Sequence, residues 1–229
     1  MHIKNKSDYK ETISYESLID NITFNDVCFS YDENQVLDNI NLKFEKGHKY
    51  LLIGPSGGGK STILRLLRKY CNPQKGSILI DGKPLEDIKK EQYFKTIANI
   101  EQNVFLFEDS IKNNLTLYKE YTNQEIYDAI NKAGLNDFIK SLSKGLDTII
   151  YDNGSNISGG ERSRLAIARV LLNNSQIVFL DEAFASLDYD KAREIERCIL
   201  DLNGITVINV SHVIIKENKS KYDNIYLIN

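Results

Sequence analysis

A chain of 229 residues with 41% hydrophobic and 27% charged side chains can bury a real core, in one large or two small domains. The formal net charge of -3, with no Lys/Arg run, excludes the positive field on which nucleic-acid binding depends. No apolar run approaches the roughly 18 residues of a membrane span, and the N-terminus is too polar for a secretion signal. Residues 1–20 are weakly patterned and read as a linker or a cloning remnant. Ile22-Thr23-Phe24-Asn25-Asp26-Val27-Cys28-Phe29 then alternates as a strand, and Leu37-Asp38-Asn39-Ile40-Asn41-Leu42-Lys43-Phe44 does so again. Between them lie Tyr31, by itself an ordinary strand-end aromatic, and a polar turn at Asp32-Glu33-Asn34.

Lys49-Tyr50-Leu51-Leu52-Ile53 predicts a short apolar strand, and Ile63, Leu64, Leu66, Leu67 and Tyr70 recur at helical spacing. Between strand and helix stands Gly54-Pro55-Ser56-Gly57-Gly58-Gly59-Lys60-Ser61-Thr62, a G-x-x-x-x-G-K-[ST] phosphate loop in the context it requires. Glycines let successive backbone N–H groups face a phosphate closely, and the helix N-terminus adds partial positive charge. Lys60 is expected to reach the β- and γ-phosphates of a nucleoside triphosphate, and the Ser61 hydroxyl to hold Mg²⁺.

Cys71-Asn72-Pro73-Gln74-Lys75-Gly76 reads as a turn, Ser77-Ile78-Leu79-Ile80 as a strand and Asp81-Gly82 as a tight hairpin turn. Ile97-Ala98-Asn99-Ile100 predicts a buried strand ending at Glu101-Gln102-Asn103. The pattern then turns helical. Thr122-Asn123-Gln124-Glu125 has the capping-box form, Ile126, Ile130 and Ala133 make an apolar stripe up to Gly134, and Phe138, Ile139 and Leu142 mark a second short helix. Residues 104–155 therefore read as a helical insertion in an α/β core. Cys28, Cys71 and Cys198 are odd in number, far apart and without a C-x-x-C, the pattern of reduced core thiols in the cytosol.

In Asn156-Ile157-Ser158-Gly159-Gly160-Glu161, Ser158 and Glu161 have the spacing of a capped helix start. Gly159 and Gly160 are poor helix formers there, so a second anion site stands beside the plain cap as a reading. Ile177-Val178-Phe179-Leu180-Asp181-Glu182 is continuously apolar until its two acids, the mark of a central parallel strand. Ligands sit at the carboxyl ends of such strands, so one acid can hold Mg²⁺ through water and the other orient or deprotonate the attacking water. Ala185-Ser186-Leu187-Asp188 leads into a helix that turns Ala192, Ile195, Ile199 and Leu202 inward. Ile205-Thr206-Val207-Ile208-Asn209-Val210 is another buried strand, and His212 just past its end is a candidate for the γ-phosphate.

Together, from about residue 21 onward, these residues resemble the nucleotide-binding domain of ABC transporters: the phosphate loop, then Ile157-Ser158-Gly159-Gly160-Glu161, then Asp181-Glu182, in that order. The resemblance implies an α/β fold with a RecA-like, mainly parallel core, a small antiparallel β region and a helical subdomain over about 104–165, truncated at its C-terminus. By the same resemblance Tyr31 stacks on adenine, Gln102 senses Mg²⁺ and water, and Asp181 is the metal-associated acid. Glu182 is then the catalytic base, Asp188 the acid of the loop after it and His212 the switch histidine. Departures from the pattern are Ile157, Glu161, Phe184, Ala185 and Val213, none of which removes a catalytic group.

Gln102-Asn103-Val104-Phe105-Leu106-Phe107-Glu108-Asp109-Ser110-Ile111 is similar to exporter domains, as is Gly145-Leu146-Asp147-Thr148 leading to Asn153-Gly154-Ser155-Asn156. That branch implies a domain fused behind a transmembrane half, at the cytoplasmic face of the cell membrane. It also implies a homodimer or pseudo-dimer with each ATP between the phosphate loop of one copy and Ser158-Gly159-Gly160 of the other, and no nucleic-acid partner. A free-standing ATPase subunit of an importer and a non-transport ABC ATPase are the alternatives.

Overall fold

The computed structural model describes residues 11–101, 104–185 and 187–229. Alternating apolar residues build the first layer. β1 (Asn21–Tyr31) turns Ile22, Phe24, Val27 and Phe29 inward and pairs antiparallel with β2 (Asn34–Glu45), whose inward residues are Leu37, Leu42 and Phe44. On its other side β1 pairs with β4 (Lys75–Ile80), which reaches the two-residue β5 (Lys83–Pro84) through Asp81 and Gly82. Both turn residues have positive φ, 50° and 74°, as a two-residue hairpin turn matched to strand twist requires. The sheet order is β2-β1-β4-β5.

The second sheet is parallel throughout. It comprises β3 (Lys49–Ile53), β6 (Ile97–Glu101), β7 (Ile177–Asp181), β8 (Thr206–Val210) and β9 (Asn224–Leu227), in the order β6-β7-β8-β3-β9. Its central strands are buried on both faces, which is why their sequences run apolar without alternation. Ile177 and Phe179 face one core with Leu52, Ile208 and α1 (Lys60–Leu67), against the antiparallel sheet. Val178 and Leu180 face the other core, covered by α6 (Gly159–Leu172) and α7 (Tyr189–Leu200). In sequence α2 (Lys90–Phe94) comes between β5 and β6, and the helical subdomain of α3 (Ile111–Thr116), α4 (Asn123–Lys132) and α5 (Asn136–Ser141) between β6 and β7, with α3 and α4 packed on α6. This is the expected α/β architecture. The capping box at Thr122 and Glu125 is formed in both directions, and Gly134 with φ 68° ends the turn after α4. No helix among the described residues is long and apolar enough to cross a membrane.

Three expectations are corrected. Residues 11–20 are not a loose tail: Tyr15 and Leu18 are buried, Ile13 bridges Ile88, and Glu11 pairs with Lys69. The backbone there is held by side chains, Tyr15 N–H by Gln92 Oε1 at 2.8 Å and Leu18 N–H by Gln176 Oε1 at 2.7 Å. Asp81 accepts from the amides of Ile19, Asp20 and Asn21 at 2.9, 2.7 and 3.1 Å. Such a strap has neither helical nor strand periodicity, so nothing local announces it. Tyr70 is exposed, because α1 stops at Leu67 and Lys69 takes φ 52°, turning the chain away before the ring can join the buried stripe. β6 is an edge strand, and of its residues only Ile100 is fully buried.

Candidate active site

The phosphate loop joins β3 to α1 at the carboxyl edge of the parallel sheet. Gly59 is the residue before the helix, with φ 92°, and a Cβ there would meet Leu37 Cδ2 at 2.5 Å, so only glycine fits. Gly54 is equally constrained: a Cβ would lie 1.9 Å from the Ile228 carbonyl oxygen. Lys60, almost fully buried, folds its ammonium back over the loop and donates to the carbonyls of Gly54 at 2.9 Å and Pro55 at 2.7 Å. The Gly58 amide closes a turn on the Pro55 carbonyl at 3.2 Å. Lysine charge, free helix-terminal amides and a glycine-lined concavity thus share one small volume.

The two acids arrive from β7. Its register beside β8 sets Asp181 opposite the first turn of α1, where the Ser61 hydroxyl donates to Asp181 Oδ1 at 3.3 Å. Glu182 follows in a left-handed conformation, φ 49°, which a non-glycine residue adopts only when its surroundings impose it. Its amide is tied to the Val210 carbonyl at 3.0 Å, and Glu182 Oε1 lies 2.9 Å from His212 Nε2. The strained backbone therefore aims the carboxylate at the histidine that follows β8. Sequence reasoning brought Asp181, Glu182 and His212 to the same edge, and the structure brings them together.

Tyr31 ends β1 beside α1. Thr62 donates its hydroxyl to the Tyr31 phenol at 3.5 Å, Phe29 meets the ring edge-on at 4.9 Å, and the Arg65 guanidinium carbon stands 5.9 Å from its centre. The ring is 40% exposed next to the phosphate loop and is not a core residue. Tyr31→Ala is expected to weaken ATP by about 1 kcal/mol, the scale of an aromatic pair. GTP should suffer equally, since a π-face reads no base edge. Titration of both nucleotides checks this, and unchanged affinities would return Tyr31 to a plain strand end.

Ser158 caps α6 with both halves of the box in place: its hydroxyl accepts from the Glu161 amide at 3.3 Å and its own amide donates to Glu161 Oε2 at 2.7 Å. The first-turn amides of Gly159 and Gly160 have no intrahelical partner. A Cβ on Gly159 would touch Leu187 Cδ2 at 3.3 Å, so this turn lies against the segment before α7. Among the described residues no hydrogen bond joins residues 158–160 to residues 54–62. Asp188 caps α7, accepting from the Lys191 amide at 3.0 Å. Gln102 lies outside the described residues.

Two arginines escaped the sequence reading. Arg68, at the end of α1, is buried and reaches Asn99, Glu101 and Asp181. Arg169, on α6, donates to the Phe105 carbonyl at 2.7 Å, the Asn114 carbonyl at 2.6 Å and Asn114 Oδ1 at 2.8 Å, while Asn114 holds the Phe107 amide at 2.8 Å. Burial pushes the Arg169 guanidinium down to about 10, still cationic at neutral pH. Ser61 and Arg68 are seven apart, two helical turns, which is the signal that could have placed Arg68 on the Asp181 face. The polar lock around Arg169 holds Phe105 (61% exposed) and Phe107 (40% exposed) at the rim of a groove of about 680 Å³ between β6, α2 and α6.

A hydroxyl and a carboxylate oxygen, with a lysine and free amides beside them, are hard oxygen donors and anion donors in the combination that Mg²⁺ with a triphosphate takes. The donor set fits that pair. Similarity to known proteins points the same way. The family model described as ABC transporter matches residues 37–185. The ATP-dependent lipid A-core flippase of Idiomarina loihiensis is 40% identical over 207 residues, 89% of this chain and 35% of that protein. Its counterpart from Desulfotalea psychrophila is 38% identical over 196 residues, 85% of this chain and 34% of its own. A solved bacterial Atm1-family ABC exporter with ATP bound superposes with a TM-score of 0.81 at 30% identity, over 97% of this chain and 39% of the exporter. The chain spans about a third of the length of the curated relatives it matches. It belongs to the ABC transporter family.

Proposed function

We propose that this chain is the ATP-hydrolysing domain of an ABC exporter, working as a head-to-tail dimer at the cytoplasmic face of the cell membrane. The observation that carries the reading is the convergence at one sheet edge: the phosphate loop, Ser61 on Asp181 at 3.3 Å, and Glu182 on His212 at 2.9 Å. In this reading the amides of residues 57–61 and the Lys60 ammonium bind the triphosphate, Ser61 and Asp181 hold Mg²⁺, and Tyr31 orients the base. Bound Mg²⁺ supplies charge neutralisation at the phosphates. Glu182 accepts the proton of the attacking water, and His212 holds the Glu182 carboxylate in place and lies within reach of the γ-phosphate. The role of Gln102 as the residue sensing metal and water is part of the same proposal. The free amides of Gly159 and Gly160, with Ser158 beside them, complete the site of the second copy.

The aromatic rim is the surface on which a membrane half would rest. Exposed rings on a backbone held by a half-buried arginine suit an interaction face better than packing. Cargo selectivity then lies in the membrane half. Phe105→Ala and Phe107→Ala should leave ATP turnover of the 229-residue chain and its melting temperature near wild type, while export by the whole transporter falls. A large loss of thermal stability would instead assign both rings to the core, and absence of turnover in the unaltered chain would remove the ATPase reading itself.

A further inference from the structure

Arg68 has more contacts with the site than a helix-end residue needs. The guanidinium is 4% exposed and lies between two carboxylates: Nη1 is 3.3 Å from Asp181 Oδ2 and 3.7 Å from Glu101 Oε1. Nε donates to Asn99 Oδ1 at 2.7 Å, and the group sits 6.0 Å over the Phe179 ring. Asn99 and Glu101 alternate onto one face of β6, and Glu101 is in direct register with Asp181 on β7. Two acids on adjacent strands repel at that spacing, and the cation between them relieves the repulsion. The arrangement is not optimised for stability, since buried Nη2 has no hydrogen-bond partner among the described residues.

The division of the Asp181 carboxylate is the informative detail. One oxygen, Oδ1, takes the Ser61 hydroxyl, and the other, Oδ2, takes Arg68. Ser61 lies in the first turn of α1 and Arg68 caps its C-terminal end, so the carboxylate is gripped from both ends of one helix. We propose that Arg68 is a positioning residue for metal binding: it fixes the rotation of Asp181 so that Oδ1 faces the Ser61 hydroxyl. Resting on the Mg-ATP reading above, this makes Arg68 an outer partner of a metal-associated carboxylate. Such partners orient the group they touch, and losing one typically costs about tenfold or more in metal affinity. Arg68 and Asn99 also line the groove under Phe105, so one side chain spans from that groove to the metal carboxylate.

The test is calorimetric titration of ATP into the 229-residue chain, in EDTA and across a series of Mg²⁺ concentrations, for wild type, Arg68→Met and Arg68→Lys. Arg68→Met should bind metal-free ATP as wild type does, and should need about tenfold more Mg²⁺ to reach its tightest binding. Arg68→Lys keeps the charge without the fork and should fall between the two. A general packing defect would weaken binding equally with and without metal, and that result overturns the proposal. An Mg²⁺ requirement unchanged in Arg68→Met overturns it too, while leaving the nucleotide site intact. If Arg68→Met does not fold, Arg68→Lys decides alone: a raised requirement supports the assignment and a wild-type requirement ends it. A wild-type chain whose ATP binding ignores Mg²⁺ would overturn both this proposal and the reading it rests on.

Discussion

Glu182→Gln is expected to bind Mg-ATP as the parent chain does and to hydrolyse it about a hundredfold to ten-thousandfold more slowly, the range that a positioned general base supplies. The amide is isosteric and can still hydrogen-bond His212, whose Nε2 lies 2.9 Å from the present carboxylate, so the geometry should survive while the proton acceptor is lost. The bound state would then persist. If Ser158-Gly159-Gly160 completes the site of a second copy, light scattering with Mg-ATP should show the variant as a dimer. Adding Ser158→Arg should return it to monomer, because the longer side chain fills the space in front of the α6 amides. Specific activity of the unaltered chain should likewise rise with protein concentration. A variant that stays monomeric at high concentration, or a dimer indifferent to Ser158→Arg, would remove the shared-site mechanism.

Lys60→Ala should reduce ATP affinity by about two orders of magnitude. In the proposed site the ammonium would make charge-assisted contacts to the β- and γ-phosphates, each worth about 1.5–3 kcal/mol. Among the described residues Lys60 donates only to the Gly54 and Pro55 carbonyls, on a turn that water can satisfy. The melting temperature should therefore change little. Unchanged ATP affinity in a folded Lys60→Ala chain would sink the phosphate-loop assignment.

What was legible in the sequence is what local chemistry dictates. Residues 54–62 declare themselves because glycine, lysine and serine at that spacing between a strand and a helix have one good use. Asp181 and Glu182 stand out because acids rarely end a continuously apolar strand without a ligand to meet. Ser158 and Glu161 gave the cap of α6, and the structure forms it as a full box. Illegible were groups whose partners lie far along the chain. Tyr15 is anchored by Gln92, Leu18 by Gln176 and Ile19 by Asp81, and no local pattern marks these side chains as anchors. Arg68 and Arg169 carry no local mark, and only the neighbouring strands and α3 make them connectors. β9 was missed because four residues at the end of a chain carry too little pattern to separate strand from tail.

The strand order has a consequence in time as well as in space. Among the described residues β3 pairs only with β8 and β9, which follow β1 to β7 in the sequence. Even its flanking bonds are distant: the Lys49 amide to Asp223 spans 174 positions, and Tyr226 to the Lys43 carbonyl spans 183. The antiparallel sheet, by contrast, is complete once β5 has been made. During synthesis Tyr50, Leu51 and Leu52 therefore wait as an unpaired apolar strand, in a topology whose long loops make folding slow and open a window for aggregation. The phosphate loop is anchored on that waiting strand and is assembled after the antiparallel sheet. ATP, which needs the finished loop, can then slow the unfolding of this chain without hastening its folding.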